Sequence, residues 1–230
     1  MKKFILLFYL LLLYNCRGNP ICLTISNQDL DNNDFLKLIE NKSLFIENSN
    51  GLENIYYLAK VDSIKKLIGV AYFLDWDNEF PDFGQNYESN FLEIIYQMII
   101  PIFYTNWLYI PSSGGLQRIL FGKHDVEGIW GVYNIEEEGI LSLRSLYFET
   151  KGHKQVHYSF DDSVNNIGLV SRNNHPYLRV ITWNHMLDKP INNEYMEYTP
   201  IYFPSNKWKE YNMNNQRAEM AKNFLKNFNK

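Results

Sequence analysis

Over residues 119–133 the chain reads I-L-F-G-K-H-D-V-E-G-I-W-G-V-Y, and within it a histidine and two carboxylates crowd together beside glycines. Alternate side chains of an extended backbone project to one side, so Asp125 and Glu127 share a face, with His124 in the loop just before them. One cation, or one bound hydroxyl, could be approached by all three. Oxygen-dominated ligation with one histidine suits magnesium, calcium or manganese better than zinc. Gly122 and Gly128 flank the group and remove side chains where a ligand or another strand needs room. A salt-bridged hairpin entrance uses the same residue types, and spacing alone leaves both readings open.

Other candidates are thinner. In D-W-D-N-E, Asp75, Asp77 and Glu79 alternate, so an extended chain sends their carboxylates to one side, toward either water or a hard cation. The stretch lacks the glycine and distal glutamate of an EF-hand loop. His153, Gln155 and His157 alternate on an expected strand, and His185 stands at a strand end from which a side chain can reach a site. Glu136, Glu137 and Glu138 read as a solvated turn. The chain has no G-x-S-x-G elbow, no H-E-x-x-H, no phosphate-binding G-x-x-x-x-G-K-[ST] loop and no dinucleotide fingerprint. A hydrolase using the Asp/Glu pair is therefore a distant third possibility, and whether the protein is an enzyme is left open, leaning to no.

The elements that must hold these residues follow from hydrophobic periodicity. A short helix is expected around Phe35, Leu38 and Ile39, with Asp34 as its N-cap. Strands are expected over 43–47 and 54–61, the second placing Ile55, Tyr57, Ala59 and Val61 on one side. A third, over 66–74, is apolar on both faces, as a central strand is. Residues 90–100 read as a helix opened by a capping box at Asn90 and Glu93 and closed by Pro101. Residues 102–110 read as a strand, residues 129–135 and 140–149 as a hairpin, and residues 177–183 as the last convincing strand. Near the C-terminus, Ala221, Phe224, Leu225 and Phe228 line one helical stripe behind Asn214. Residues 207–230 carry six basic and two acidic side chains. Such a helix either lies on an anionic membrane or docks on the body.

Composition limits what the protein is. An apolar share of 46% with 16% aromatics is ample for a core in 230 residues. A net charge of -4 argues against nucleic acid as a partner. Lys2 and Lys3 followed by an apolar run over 4–14 have the form of an export signal, too short to span a bilayer comfortably. The run ends L-L-Y-N-C and resembles the lipobox of bacterial lipoproteins, with Tyr14 and Asn15 in place of the small residues of the strict pattern. The resemblance implies lipidation at Cys16 and a membrane anchor. An uncleaved N-terminal anchor or an unusual signal peptide is the alternative. With Cys16 lipidated Cys22 is left unpaired, whereas an unlipidated Cys16 could close a small loop with it; no larger disulfide framework supports the fold.

The run His124, Asp125, Val126, Glu127 resembles the H-D-W-E end of the heptapeptide of the necrosis-inducing protein family and the H-E-G-D-W-E stretch of vacuolar-sorting-associated proteins. The order downstream is similar: a strand followed by His153 after a glycine, then His175-Pro176 leading through an apolar strand to His185. Val126 replaces the family's tryptophan, and Phe121 and Gly122 stand where it has glycine and histidine. The resemblance covers about residues 70–189. It implies an aromatic-rich β-sandwich and a divalent metal held by His124, Asp125 and Glu127, with Asp75 and Asp77 as partners, in a site that in the family serves membrane damage.

The expected fold is α+β, mainly antiparallel β, with a β-sandwich-like core and a few flanking helices. The expected organisation is a signal peptide over 1–15, a lipidated tether over 16–26, a β-rich domain over 27–206 and an amphipathic helix over 207–230. Two functions are in play: an envelope lipoprotein, periplasmic or surface-exposed, whose metal site binds a lipid head group or glycan, and a lipid-anchored structural or adhesion protein with no metal site. Nothing in the sequence sets the oligomeric state.

Overall fold

The computed structural model describes residues 33–76, 125–136, 140–160, 167–182, 185–203 and 216–230. Cys16, Cys22, Asp77, Glu79, His124, the helix expected over 90–100 and the strand over 102–110 lie outside them. The fold is α+β and mainly antiparallel, a β-sandwich with helices at its flanks. Helix α1 (Asn33–Glu40) precedes β1 (Leu44–Glu47), β2 (Leu52–Asp62) and β3 (Leu67–Trp76). After residues 77–124 come β4 (Asp125–Ile135), β5 (Leu141–Thr150) and β6 (Lys154–Ser159). The chain closes through β7 (Ser171–Arg172), β8 (His175–Val180), β9 (Leu187–Asp188), β10 (Met196–Tyr198), β11 (Ile201–Tyr202) and α2 (Gln216–Asn227).

The larger sheet has the order β11-β2-β3-β4-β5-β6, and the smaller has β10-β1-β8-β7 with β9 also on β8. Every pairing is antiparallel except β1 with β8 and β11 with β2. These two parallel pairs join early strands to late ones, and local hydrophobic alternation carries no sign of them.

Strand β3 is buried along its whole length between β2 and β4, as an apolar run on both faces requires. Its even positions, Ile68, Val70, Tyr72, Leu74 and Trp76, meet Ile55, Tyr57 and Ala59 of β2 and, across the sandwich, Leu44, Ile46, Leu178 and Val180. The odd positions Ala71 and Phe73 face outward to a second core with Tyr56, Leu58, Trp130, Phe203 and the Ala218, Ala221 and Leu225 stripe of α2. The C-terminal helix therefore docks on the body. Phe228, just past the helix, takes the room left by Gly69, where an added Cβ would come 2.5 Å from its Cγ.

Several local boundaries differ from the sequence expectation. Asp34 is the second residue of α1, not its cap. Asp125 and Glu127 belong to β4 itself, because the β3 ladder extends to Trp76↔Asp125 and draws both into the sheet. His153 precedes β6 in a turn with φ of 56° and does not share the strand alternation of Gln155 and His157. The β8 strand ends at Val180, earlier than the apolar run does.

Candidate functional site

Among the described residues singled out for chemistry, positions 75, 125 and 127, His153 and His185 lie toward one end of the sandwich. Strand β3 ends there, β4 begins there, and the parallel pair β1 and β8 ends there too, tied by the Asn48 side-chain amide donating to the Val180 carbonyl at 3.3 Å. In the β3–β4 ladder Trp76 is opposite Asp125, Asp75 opposite Val126, and Leu74 opposite Glu127. Opposed residues of an antiparallel pair share a face. Positions 125 and 127 therefore lie with Trp76 and Leu74 on the inner face, at the mouth between the two sheets. Glu127 is buried, at 4% exposure.

Asp75 goes the other way. It lies with Val126 on the outer face, fully buried, where the Asn54 amide reaches its Oδ2 at 3.5 Å. Strand alternation thus separates Asp75 from the Asp125 and Glu127 positions by the thickness of the sheet. A one-residue difference in register is enough to do this, since the side-chain period is two.

From the smaller sheet, His185 closes the same mouth. Its imidazole lies flat on the Trp76 indole, ring centres 4.0 Å apart and planes within 2°. The residue is buried and holds a left-handed backbone at φ 58°. The turn is built by His185 N–H donating to the Thr182 carbonyl (3.1 Å), Met186 N–H donating to Thr182 Oγ1 (2.9 Å) and Ile181 N–H donating to the Met186 carbonyl (2.9 Å). A non-glycine residue at such φ is held by its surroundings, and such positions gather at functional sites. Trp76 was not among the sequence candidates. Its alternation with Asp75 and Asp77 was visible, but its stacking partner lies more than a hundred residues away.

His153 sits at the same end of the larger sheet, at the tip of the β5–β6 hairpin. It is exposed and faces Glu149 at 3.1 Å, an ordinary surface pair. His157 stacks on Tyr147 at 4.0 Å on the outer face, so it does not join His153. Gly128 has its open side filled by the Trp130 indole, to which an added Cβ would come within 2.6 Å, so it makes room for packing rather than for a ligand.

Chemically, the mouth offers the buried Glu127 carboxylate two positions along β4 from residue 125, an aromatic wall and a buried imidazole. Such a set can take a hard cation or hydrogen-bond a hydroxylated ligand. Among the described residues no three His, Cys, Asp or Glu side chains gather into a metal-sized group; His124 and the Asp125 side chain fall outside that description. Also among the described residues, no helix is long and apolar enough to cross a membrane.

No family model matches the chain, and no curated protein matches it. A solved structure described as "NLPPya in complex with mannosamine" is similar, with a TM-score of 0.41 and 10% identity, covering 80% of this chain and 76% of that one. The fold class stated above comes from the strands and registers themselves.

Proposed function

We propose that the protein is an exported, lipid-anchored envelope protein whose sandwich mouth holds a divalent cation, magnesium, calcium or manganese, and through it binds a lipid head group or glycan. Asp125 and Glu127 would supply the oxygen ligands, with His124 beside them. The observation that carries this reading is the β3–β4 register, which sets positions 125 and 127 on the same inner face at the sandwich end, opposite Trp76 and Leu74, with the buried His185 ring stacked on Trp76. Asp75, on the outer face, is left out of the ligand set, and Asp77 stays in it as a candidate on sequence grounds alone. The anchor rests on Lys2, Lys3, the apolar run and Cys16.

The test is thermal denaturation of the purified chain with and without each cation, for wild type, Asp125→Asn and Glu127→Gln. Ligand that binds only the folded state raises the melting temperature with concentration. A rise in wild type that both variants lose is the expected result. A wild type indifferent to all three cations would overturn the metal site.

The second reading, an anchored adhesion protein without a metal, is favoured by a different observation. Ile191, Met196 and Ile201 are exposed along the run that contains the edge strands β10 and β11. An apolar edge of this kind is suited to pairing with another chain.

A further inference from the structure

On the outer face of the larger sheet, away from the mouth, two neighbouring clefts of about 480 and 370 Å³ flank the stacked Tyr147 and His157 rings. In the larger, the aromatic side chains already pack on one another, Trp130 and Tyr147 both against Phe224. The smaller has a different chemistry. Lys65, Arg144 and Lys230 line it together with Ser145, Ser159 and His157, and no aspartate or glutamate side chain is among its described lining residues.

Three features build this cleft. The β4–β5 register slips between Val132 and Tyr133, so that β5 passes from Ser145 to Leu143 while β4 advances one residue. Arg144 is the extra residue of that bulge, and a bulge re-aims the side chain it adds. Ser145 and Ser159 are direct partners across β5 and β6, both buried, which puts two hydroxyl groups side by side on its floor. Finally, the Lys65 ammonium donates to the Asn229 carbonyl, joining the β2–β3 turn to the segment that carries Lys230. Asp62, on the same turn, is engaged elsewhere: it accepts the backbone N–H groups of Ile64 and Lys65 and the Asn229 side-chain amide.

Three basic residues lining one cleft with two buried serines complement a compact oxyanion. We propose that this cleft is a binding site for a phosphate monoester, the phosphoryl oxygens taken by Lys65, Arg144 and Lys230 over the Ser145 and Ser159 hydroxyls. The site is independent of the metal reading of the mouth.

Calorimetric titration of the full chain with inorganic phosphate, glycerol 3-phosphate and uncharged glycerol tests this, with a parallel arm using vesicles containing phosphatidic acid. Both soluble phosphates should bind saturably and glycerol should not, with affinity falling as sodium chloride is added. Lys65→Gln, on an exposed turn, should weaken binding by about tenfold, and Arg144→Gln by at least as much. Lys222→Gln, on α2 and outside the cleft, should leave it unchanged. Binding to the vesicles alone, lost in the same variants, would assign the phosphate to a lipid head group. Absence of binding in both arms, or binding that survives Lys65→Gln in a folded protein, would overturn the proposal.

Discussion

His185 spends conformational energy to keep its ring against Trp76. A β-carbon-bearing residue at φ 58° costs on the order of 1 kcal/mol, and face contact with the indole offsets it. His185→Ala keeps the strain and loses the ring, so urea denaturation should show a loss of about 1–2 kcal/mol. His185→Asn should recover part of it, since asparagine tolerates the left-handed region better. The buried hydroxyls of Tyr72 and Tyr133 meet at 2.7 Å inside the sandwich. Tyr133→Phe strands the Tyr72 hydroxyl and should cost about 1–3 kcal/mol, while the double change to phenylalanine should cost less than the two single changes added together. Strict additivity in that cycle would show that the hydroxyl pair contributes nothing specific. Glu47 anchors in the same manner on the small sheet. It accepts the Tyr177 hydroxyl at 2.7 Å and the Asn192 N–H at 2.9 Å, fastening the segment after β9 over its outer face.

At the scale of elements, α2 is held by small residues beneath it. Gly69 and Ala71 leave the β3 surface low enough for Phe228 and the helix stripe to settle. Gly69→Ala forces a methyl into the Phe228 ring and should cost about 1–3 kcal/mol as overpacking, read as lower protection of α2 amides in hydrogen exchange. Unchanged protection would mean that the ring swings aside at no cost. The stripe of Ala221 and Leu225 was readable at helical spacing, and it packs as such. The surface that receives it was not readable, since β3 is apolar on both faces and gives no sign of which one meets a helix. The Arg144 bulge leaves no local trace either, because a slip in register is a property of two strands together.

For the whole molecule, the interior tyrosines set an alkaline limit. Burial raises both Tyr72 and Tyr133 well above the usual phenol range, the first helped by its tyrosine neighbour. The unfolded chain ionises these phenols near pH 10 and the folded one does not, so their contribution to stability is complete below that pH and is lost as pH rises further. Denaturant midpoints measured from pH 8 to 11 should therefore fall beyond about pH 10, and fall less in the double phenylalanine variant. The two parallel contacts, β1 on β8 and β11 on β2, bind the ends of the described fold together, so these losses should appear as one cooperative transition.

Taken alone, the sequence determined what is local. Alternation located β1, β2, β3 and β5 closely, put Ile55, Tyr57 and Ala59 on one side, and placed Asp125 and Glu127 on a common face although it began β4 four residues late, because the side-chain period of a strand is a property of the backbone itself. Tertiary structure decided what depends on a distant partner. It turned the Asp125 and Glu127 positions inward and Asp75 outward, laid His185 on Trp76, and gathered Lys65, Arg144 and Lys230 around one cleft. Each of these is fixed by register and packing between segments far apart in the chain, and the free energy that selects them arises only when both surfaces leave water together.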